Sequence, residues 1–246
     1  MNFIGGGKLG DFLHSLWVIY NTPGKHTLYI TDKKEYGGDF FSKGLKKTYE
    51  DLEPIILNQN FIEKFSILEK PIDDYINLNT WRNSKLLFND CWTNILKHSY
   101  SVLNYKKGSW LNFDNINPNF NNKVVIHCSL IKERNNPSFP WGEILKSNDC
   151  IFVSSDENEH KNFNINLPFY QVTSLWEHFE IINSCNIFVG NQSSPFVIAH
   201  SLDKKRLLNV SPTIDGKHYI GEENYHNNFS WMVSYENCSK NFQNFF

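Results

Sequence analysis

Alanine is almost missing from this chain: Ala199 is its sole representative in 246 residues. Asparagine, lysine, isoleucine and phenylalanine take its place, a bias that an A/T-rich coding sequence produces and that carries no chemistry. No apolar run approaches the roughly 18 residues that a membrane-spanning helix needs. The five cysteines, Cys91, Cys128, Cys150, Cys185 and Cys238, are odd in number and never form C-x-x-C, so they read as reduced thiols and not as a disulfide framework. A charge surplus is missing too. The formal net charge is −2, with Lys+Arg against Asp+Glu at 14 to 13 up to Asn122 and 10 to 13 beyond it, so no global basic field points to nucleic acid. A glycine turn begins five residues in and is followed by Asp11, which leaves no room for a secretory leader. These absences predict a soluble, cytoplasmic protein.

Chemical signatures are missing as well. The nine histidines form no H-x-x-x-H and none stands at ligand spacing from a cysteine, so no metal site is read; His127 and His200 sit in apolar segments, where core or cleft imidazoles are the common outcome. Ser193-Ser194 is followed by Pro195, which breaks G-x-S-x-G and leaves an acyl-transfer nucleophile unsupported.

What the chain does have is one kind of turn, used twice. Gly5-Gly6-Gly7-Lys8-Leu9-Gly10-Asp11 follows the apolar run Asn2-Phe3-Ile4, and Gly190-Asn191-Gln192-Ser193-Ser194-Pro195 follows Asn186-Ile187-Phe188-Val189. Each reads as strand, turn, helix, the arrangement in which free amide groups and the positive helix end converge on an anion. Between and after them, apolar strands alternate with helices. Strands are predicted at 2–5, 27–31, 65–68, 75–78, 124–128, 150–154, 170–172, 186–189 and 206–210. Helices are predicted at 12–20, 49–57, 141–146, 156–163, 175–184 and 195–202, with a broken helical stretch over 81–103. Residues 109–122 carry six asparagines and little periodicity and read as a linker. Continuous apolar strands alternating with helices predict parallel sheets covered on both faces. The aromatic-rich end from Glu222 onward is expected to pack back on the body.

The first turn satisfies G-x-G-x-x-G through Gly5, Gly7 and Gly10, with Asp32 ending the next strand, the pattern of an NAD-dependent oxidoreductase. Against that reading, Asp11 puts a carboxylate where a pyrophosphate would lie. Asp11 itself reads either as a helix cap or as a general base.

Three segments, Gly6–Leu13, Val124–Trp141 and Ser184–Leu202, resemble the GT-B glycosyltransferases of the heptosyltransferase type, family 9. The run Arg134-Asn135-Asn136-Pro137-Ser138-Phe139-Pro140-Trp141 is similar to a segment of bacterial and phage-encoded relatives. The resemblance implies an α/β, GT-B-like fold of two Rossmann-like domains facing a cleft, residues 1–118 on the acceptor side and 119–246 on the nucleotide-sugar side. It implies that Asp11 deprotonates the acceptor hydroxyl at a turn shaped by Gly7 and Gly10. It further implies that Asn191, Gln192, Ser193 and Ser194 hold the donor diphosphate, neutralised by Lys132 and Arg134. The chain departs from the family's Gly-Asn-Asp-Ser-Gly-Pro at Gln192 and Ser194, and the histidine that usually follows is Val197.

The implied reaction moves a sugar from a nucleotide-diphosphate donor to a hydroxyl, with inversion and without a cofactor. Such a transfer needs a base for the acceptor proton and cationic or amide groups for the leaving diphosphate. No Asp-x-Asp stands at a strand end, and Asp73-Asp74 lacks the spacing, so a metal-dependent GT-A route is not read. The acceptor stays open among a glycan, a protein and a modified nucleic acid. Lysines 33, 34, 43, 46 and 47 read either as contacts to a polyanionic acceptor or as a solvated charged loop. A non-catalytic nucleotide-binding module, motivated by Gln192 and Val197, is the rival from another class.

Overall fold

Short β-branched and aromatic runs alternate with helices through most of the chain, and the outcome is two parallel sheets. The computed structural model describes residues 1–37, 41–146, 149–211, 218–234 and 237–239, with the side chain of Lys132 outside the description. In chain order the elements are β1 (Asn2–Gly6), α1 (Leu9–Tyr20), β2 (His26–Thr31), α2 (Leu45–Leu57), β3 (Ile62–Ile67), β4 (Tyr75–Asn77) and α3 (Trp92–Tyr100). There follow β5 (Val124–His127), α4 (Trp141–Lys146), β6 (Cys150–Ser154), α5 (Glu157–Phe163), β7 (Phe169–Gln171) and α6 (Leu175–Ser184). The last are β8 (Ile187–Gly190), α7 (Ser194–Ser201), β9 (Arg206–Asn209), β10 (Phe229–Ser234) and β11 (Asn237–Cys238).

The first four strands form a parallel sheet in the order β3-β2-β1-β4, with Ile4 in register with both Tyr29 and Asn77. The other seven form β11-β10-β9-β8-β5-β6-β7, parallel except for the β11 edge. Each order reverses direction once, between β1 and β4 in one sheet and between β5 and β8 in the other. Such switch points, at the carboxyl ends of the strands, are where open α/β sheets leave a crevice.

Two helices occupy the space between the sheets. Every residue of α1 from Phe12 to Ile19 is buried, and so is every residue of α7 from Pro195 to Ser201. Helices that are apolar all round belong inside a core and not on a surface. One continuous hydrophobic cluster accordingly runs from Phe3, Leu28 and Phe65 through Phe12 and Trp17 to Phe196, Phe188 and Leu208.

The stretch read as a linker is part of that core. Trp110 and Leu111 donate their backbone N–H groups to the Ser201 carbonyl, and the Trp110 indole donates to the Leu13 carbonyl at 3.0 Å. Phe113 packs against Trp176 and Phe179. Its apolar residues are irregularly spaced, so periodicity could not reveal them. The segment predicted as a broken helix resolves into a 3₁₀ turn at Thr80–Asn83 and α3, which starts only at Trp92. The C-terminal region does pack back, but as strand β10 lying parallel to β9; residues 240–246 lie outside the described residues. Among the described residues no helix is long and apolar enough to cross a membrane.

Because Trp110 joins both helices, Trp110→Ala is expected to lower unfolding stability by about 3–5 kcal/mol, the cost of truncating a buried large aromatic. Denaturant melts followed by far-UV and near-UV circular dichroism should show one coincident transition, since the core is continuous.

A cleft where two helix starts meet

The amino ends of α1 and α7 lie side by side. A Cβ placed on Gly10 would sit 3.4 Å from Val197 Cγ2 and 3.8 Å from the Ser194 Cα, so the position where the family has a histidine is here part of the helix–helix contact. Neither helix has a side-chain cap: no hydrogen bond of that kind forms from Lys8 or from Ser193. By contrast Asp156 and Ser174 do cap α5 and α6. The first-turn amides of α1 and α7 are therefore left for water or a ligand.

Asp11 is not a cap. Its Oδ2 accepts a hydrogen bond from Arg82 Nη2 at 2.7 Å, in a pair that is part-buried. Arg82 leaves the 3₁₀ turn after β4, and its guanidinium lies 4.4 Å from the Trp81 ring centroid. It also closes over the glycine turn: Gly7 has φ +94°, and a Cβ there would be 2.7 Å from Arg82 Nη2. The positive φ calls for glycine at Gly7. A dinucleotide pyrophosphate on this turn would have to displace the Arg82–Asp11 pair.

The second turn is built differently. Gly190 is forced by close approach, since a Cβ would be 2.5 Å from the His127 carbonyl oxygen. Asn191, fully buried, spends its side chain on the neighbouring loop: Oδ1 accepts from the Ser129 N–H at 3.1 Å and Nδ2 donates to Asn135 Oδ1 at 2.8 Å. Asn191 thus shapes the turn and its amide does not face a ligand. Arg134 Nη1 donates to the Gln192 carbonyl at 3.0 Å, which brings this guanidinium onto the α7 start. Ser193, Ser194 and Arg134 line a cleft of about 500 Å³ that Lys8, Leu9 and Lys43 close from the other side. Lys132 belongs to the same short 3₁₀ turn as Arg134, but its side chain lies outside the described residues. Of the other lysines, Lys43 and Lys47 face Asp51.

The floor of the cleft holds groups that the sequence analysis did not place there. His127 Nδ1 lies 3.0 Å from the Val153 carbonyl and must donate to it, which leaves Nε2 as a bare acceptor. Burial holds this imidazole below its ordinary pKa despite the opposing pull of Glu159. Glu159 Oε2 stands 3.8 Å from His127 Nε2 and takes a short hydrogen bond from Ser154 Oγ. His178, held down to about 3 by burial, has a buried Nε2 with no hydrogen-bond partner. Two facing acceptors and an orphaned imidazole nitrogen are what a hydroxyl- or amine-bearing ligand would satisfy. His127 closes β5 and Arg82 lies in the turn that follows β4, both at a switch point, and that placement is the signal that could have found them.

Behind the cleft lies a second polar cluster. Glu222 is fully buried and accepts from the Thr93 N–H at 2.6 Å and from Thr93 Oγ1 at 2.9 Å, tying the segment after β9 to α3. His200 and His226 face its Oε2 at 3.5 and 3.4 Å. Burial works against the Glu222 carboxylate, yet the two imidazoles prevail and hold it well below the usual range. These three residues have the spacing of a metal site, but Arg206 Nε donates to His200 Nδ1 at 2.9 Å. The proton of neutral His200 then sits on Nε2, facing Glu222, and that nitrogen has no lone pair for an ion. On α1, His14 Nε2 is hydrogen-bonded with the Tyr219 phenol oxygen Oη at 2.7 Å. Burial, then the charges of Glu222 and Asp11, push the Tyr219 phenol well above its usual range.

Two parallel sheets with crossed switch points and helices packed between them define a GT-B architecture. Solved structures that superpose on it include heptosyltransferases and a family 9 glycosyltransferase. E. coli heptosyltransferase WaaC, solved with ADP, matches over 93% of this chain and 92% of its own with a TM-score of 0.61 at 13% identity. The family 9 glycosyl transferase of Veillonella parvula matches over 92% of each chain, with a TM-score of 0.53 and 11% identity. The iron-containing, dodecameric heptosyltransferase TibC, in complex with ADP-D-β-D-heptose, matches over 85% of this chain and 57% of its own, with a TM-score of 0.56 and 12% identity. The chain therefore has the heptosyltransferase-like GT-B fold that its sequence resembles. The sequence itself matches no protein-family profile and no curated protein.

His14 and His178 are both held neutral, at about 3 against an ordinary 6.5, with burial the leading cause. Below pH 6.5 the unfolded chain takes up protons that the folded chain refuses, so stability is complete above that pH and falls as pH drops toward 3. Each histidine is expected to contribute a slope of up to about 1.4 kcal/mol per pH unit in that window. Unfolding free energies measured across it should show a shallower slope in His178→Gln than in the parent chain.

Proposed function

We propose that this chain is a glycosyltransferase that moves a sugar from a nucleoside-diphosphate donor to an acceptor hydroxyl. The observation that carries the reading is the meeting of two uncapped helix starts in one cleft, with a carboxylate on one and a guanidinium on the other. The donor diphosphate is assigned to α7: the amides at Ser193 and Ser194 supply hydrogen bonds, the helix dipole supplies positive potential, and Arg134 supplies a full charge. The ADP and ADP-heptose held by the solved neighbours support a nucleotide of this class. The nucleoside would extend over the His127 floor, where a vicinal diol can donate to both Glu159 and His127.

Asp11 is assigned as general base. Arg82 fixes the direction of its carboxylate through Oδ2, while Oδ1 has no hydrogen bond among the described residues and can take the acceptor proton. As the C–O bond to the acceptor forms at the anomeric carbon, the bond to the diphosphate breaks and its charge passes to Arg134 and the α7 amides. One base and a direct displacement invert the anomeric centre and call for neither an enzyme nucleophile nor a metal. Asn191 acts in this scheme by holding the turn, and Gly7 and Gly10 act by letting Arg82 and α7 approach.

The rival reading, a nucleotide-binding module without turnover, draws on the same Asp11–Arg82 pair, which a structural role would also explain. Asp11→Asn separates the two. Turnover is expected to fall by roughly 10²–10⁴ with melting temperature and nucleotide affinity near those of the parent. Turnover within a few-fold of the parent removes Asp11 as base, whereas nucleotide binding with no transfer by the parent chain leaves the binding module ahead. Arg134→Ala is expected to weaken nucleoside-diphosphate binding by roughly 1.5–3 kcal/mol, measured by titration calorimetry against ADP, UDP, GDP and CDP. Unchanged affinity in that variant would show that Arg134 serves only the Gln192 carbonyl.

A further inference from the structure

A second cavity, of about 740 Å³, backs onto the cleft across Ser129, Leu130 and Glu159 and reaches the ends of α5 and β9. Its chemistry differs from that of the cleft. Among the described residues no Lys, Arg or His lines it, so nothing there would neutralise a phosphate or a carboxylate. Burial pushes the Cys128 thiol up to about 12, which keeps it protonated and unfit as a metal ligand or nucleophile. The one carboxylate, Glu159, is already engaged by Ser154.

What remains is neutral and hydrogen-bonding. Asn209 is 2% exposed, lines the cavity and has a buried Oδ1 with no hydrogen-bond partner. Ser129 Oγ is buried and unpartnered too, on the same cavity lining but across β8 from Asn209. The amides of Asn135 and Asn136 are taken up by the Ser129 and Val233 carbonyls and only stiffen that wall. The opposite side is aromatic: Trp141 stands with its ring centroid 4.8 Å from Phe163 and 4.5 Å from Phe139. An amide oxygen and a hydroxyl facing an indole can pair with vicinal hydroxyls on one edge of a ligand and with C–H groups on its other face.

The geometry points to a saccharide-binding site in this cavity, taking one neutral, hydroxyl-rich sugar unit between Asn209, Ser129 and Trp141. One sugar hydroxyl donates to Asn209 Oδ1 and another accepts from Ser129 Oγ, which removes two buried unsatisfied groups. The site does not depend on the transferase reading: it shares the wall of Ser129, Leu130 and Glu159 with the cleft to which the donor is assigned, but Asn209 and Trp141 line this cavity and not the cleft.

The test is a titration of the full chain with D-glucose, D-galactose, N-acetyl-D-glucosamine and maltose. Binding is read by saturation-transfer NMR and by tryptophan emission, with and without saturating ADP. The parent chain is expected to bind at least one of these with a millimolar dissociation constant and to keep binding it when ADP is present. Asn209→Leu and Trp141→Ala are each expected to weaken that binding by about tenfold or more. Asn209→Leu removes an unsatisfied acceptor, so a purely structural role predicts an equal or higher melting temperature and no change in sugar affinity. Should Trp141→Ala fail to fold, Asn209→Leu decides the matter. The proposal is overturned by the absence of saturable binding to any of the four sugars, by affinity unchanged in Asn209→Leu, or by displacement of the sugar by ADP.

Discussion

The rest of this structure depends on the packing of α1 against α7. Both helices are buried along nearly their whole length, and their amino ends touch at Gly10 and Val197. A helix start carries a partial positive charge and unsatisfied amides wherever it lies. Burying two of them together concentrates that potential at one point and leaves the cleft as its only outlet. Trp110 pins the pair from behind through hydrogen bonds to Leu13 and Ser201, and Glu222, which faces His200 of α7, ties α3 to it through Thr93. The geometry of the cleft is thus a property of the core and not of its loops.

Charge is distributed over this frame with a division of labour. The α1 start carries Asp11, balanced by Arg82; the α7 start carries no acid and is reached by Arg134. One end is therefore nearly neutral and directional, and the other is open to an anion. The replacement of the family's histidine by Val197 fits the same picture. Val197 fills the contact with Gly10, and the Gln192 carbonyl anchors Arg134.

Much of the fold was legible in the sequence because its determinants are local. Continuous apolar runs such as Val124–His127 could only be buried parallel strands, and the two glycine turns marked where strands give way to helices. Asp11, Ser193 and Ser194 were readable for the same reason, each lying in such a turn, while Arg134 was read from its place after the strand that ends at His127. What stayed hidden is non-local. Arg82 reaches Asp11 across 71 residues, and Glu222 reaches Thr93 across 129. His127 read as a core or cleft histidine, and His178 drew no reading, until Glu159 and the cleft were placed beside them. Trp110 and Phe113 escaped because irregular spacing within an asparagine-rich stretch carries no period. The strand β10 escaped because its partner β9 lies beyond a turn-rich stretch that periodicity cannot bridge.

The central claim is that two similar helix starts share one cleft but take different roles, with the anion on α7 alone. A crystal structure of the full chain with ADP tests it most directly. The account predicts that the diphosphate lies against the Ser193 and Ser194 amides within reach of Arg134, while Arg82 remains paired with Asp11. A diphosphate seated on Gly5–Gly7, with Arg82 drawn away from Asp11 toward it, would contradict the account and revive the dinucleotide-binding reading.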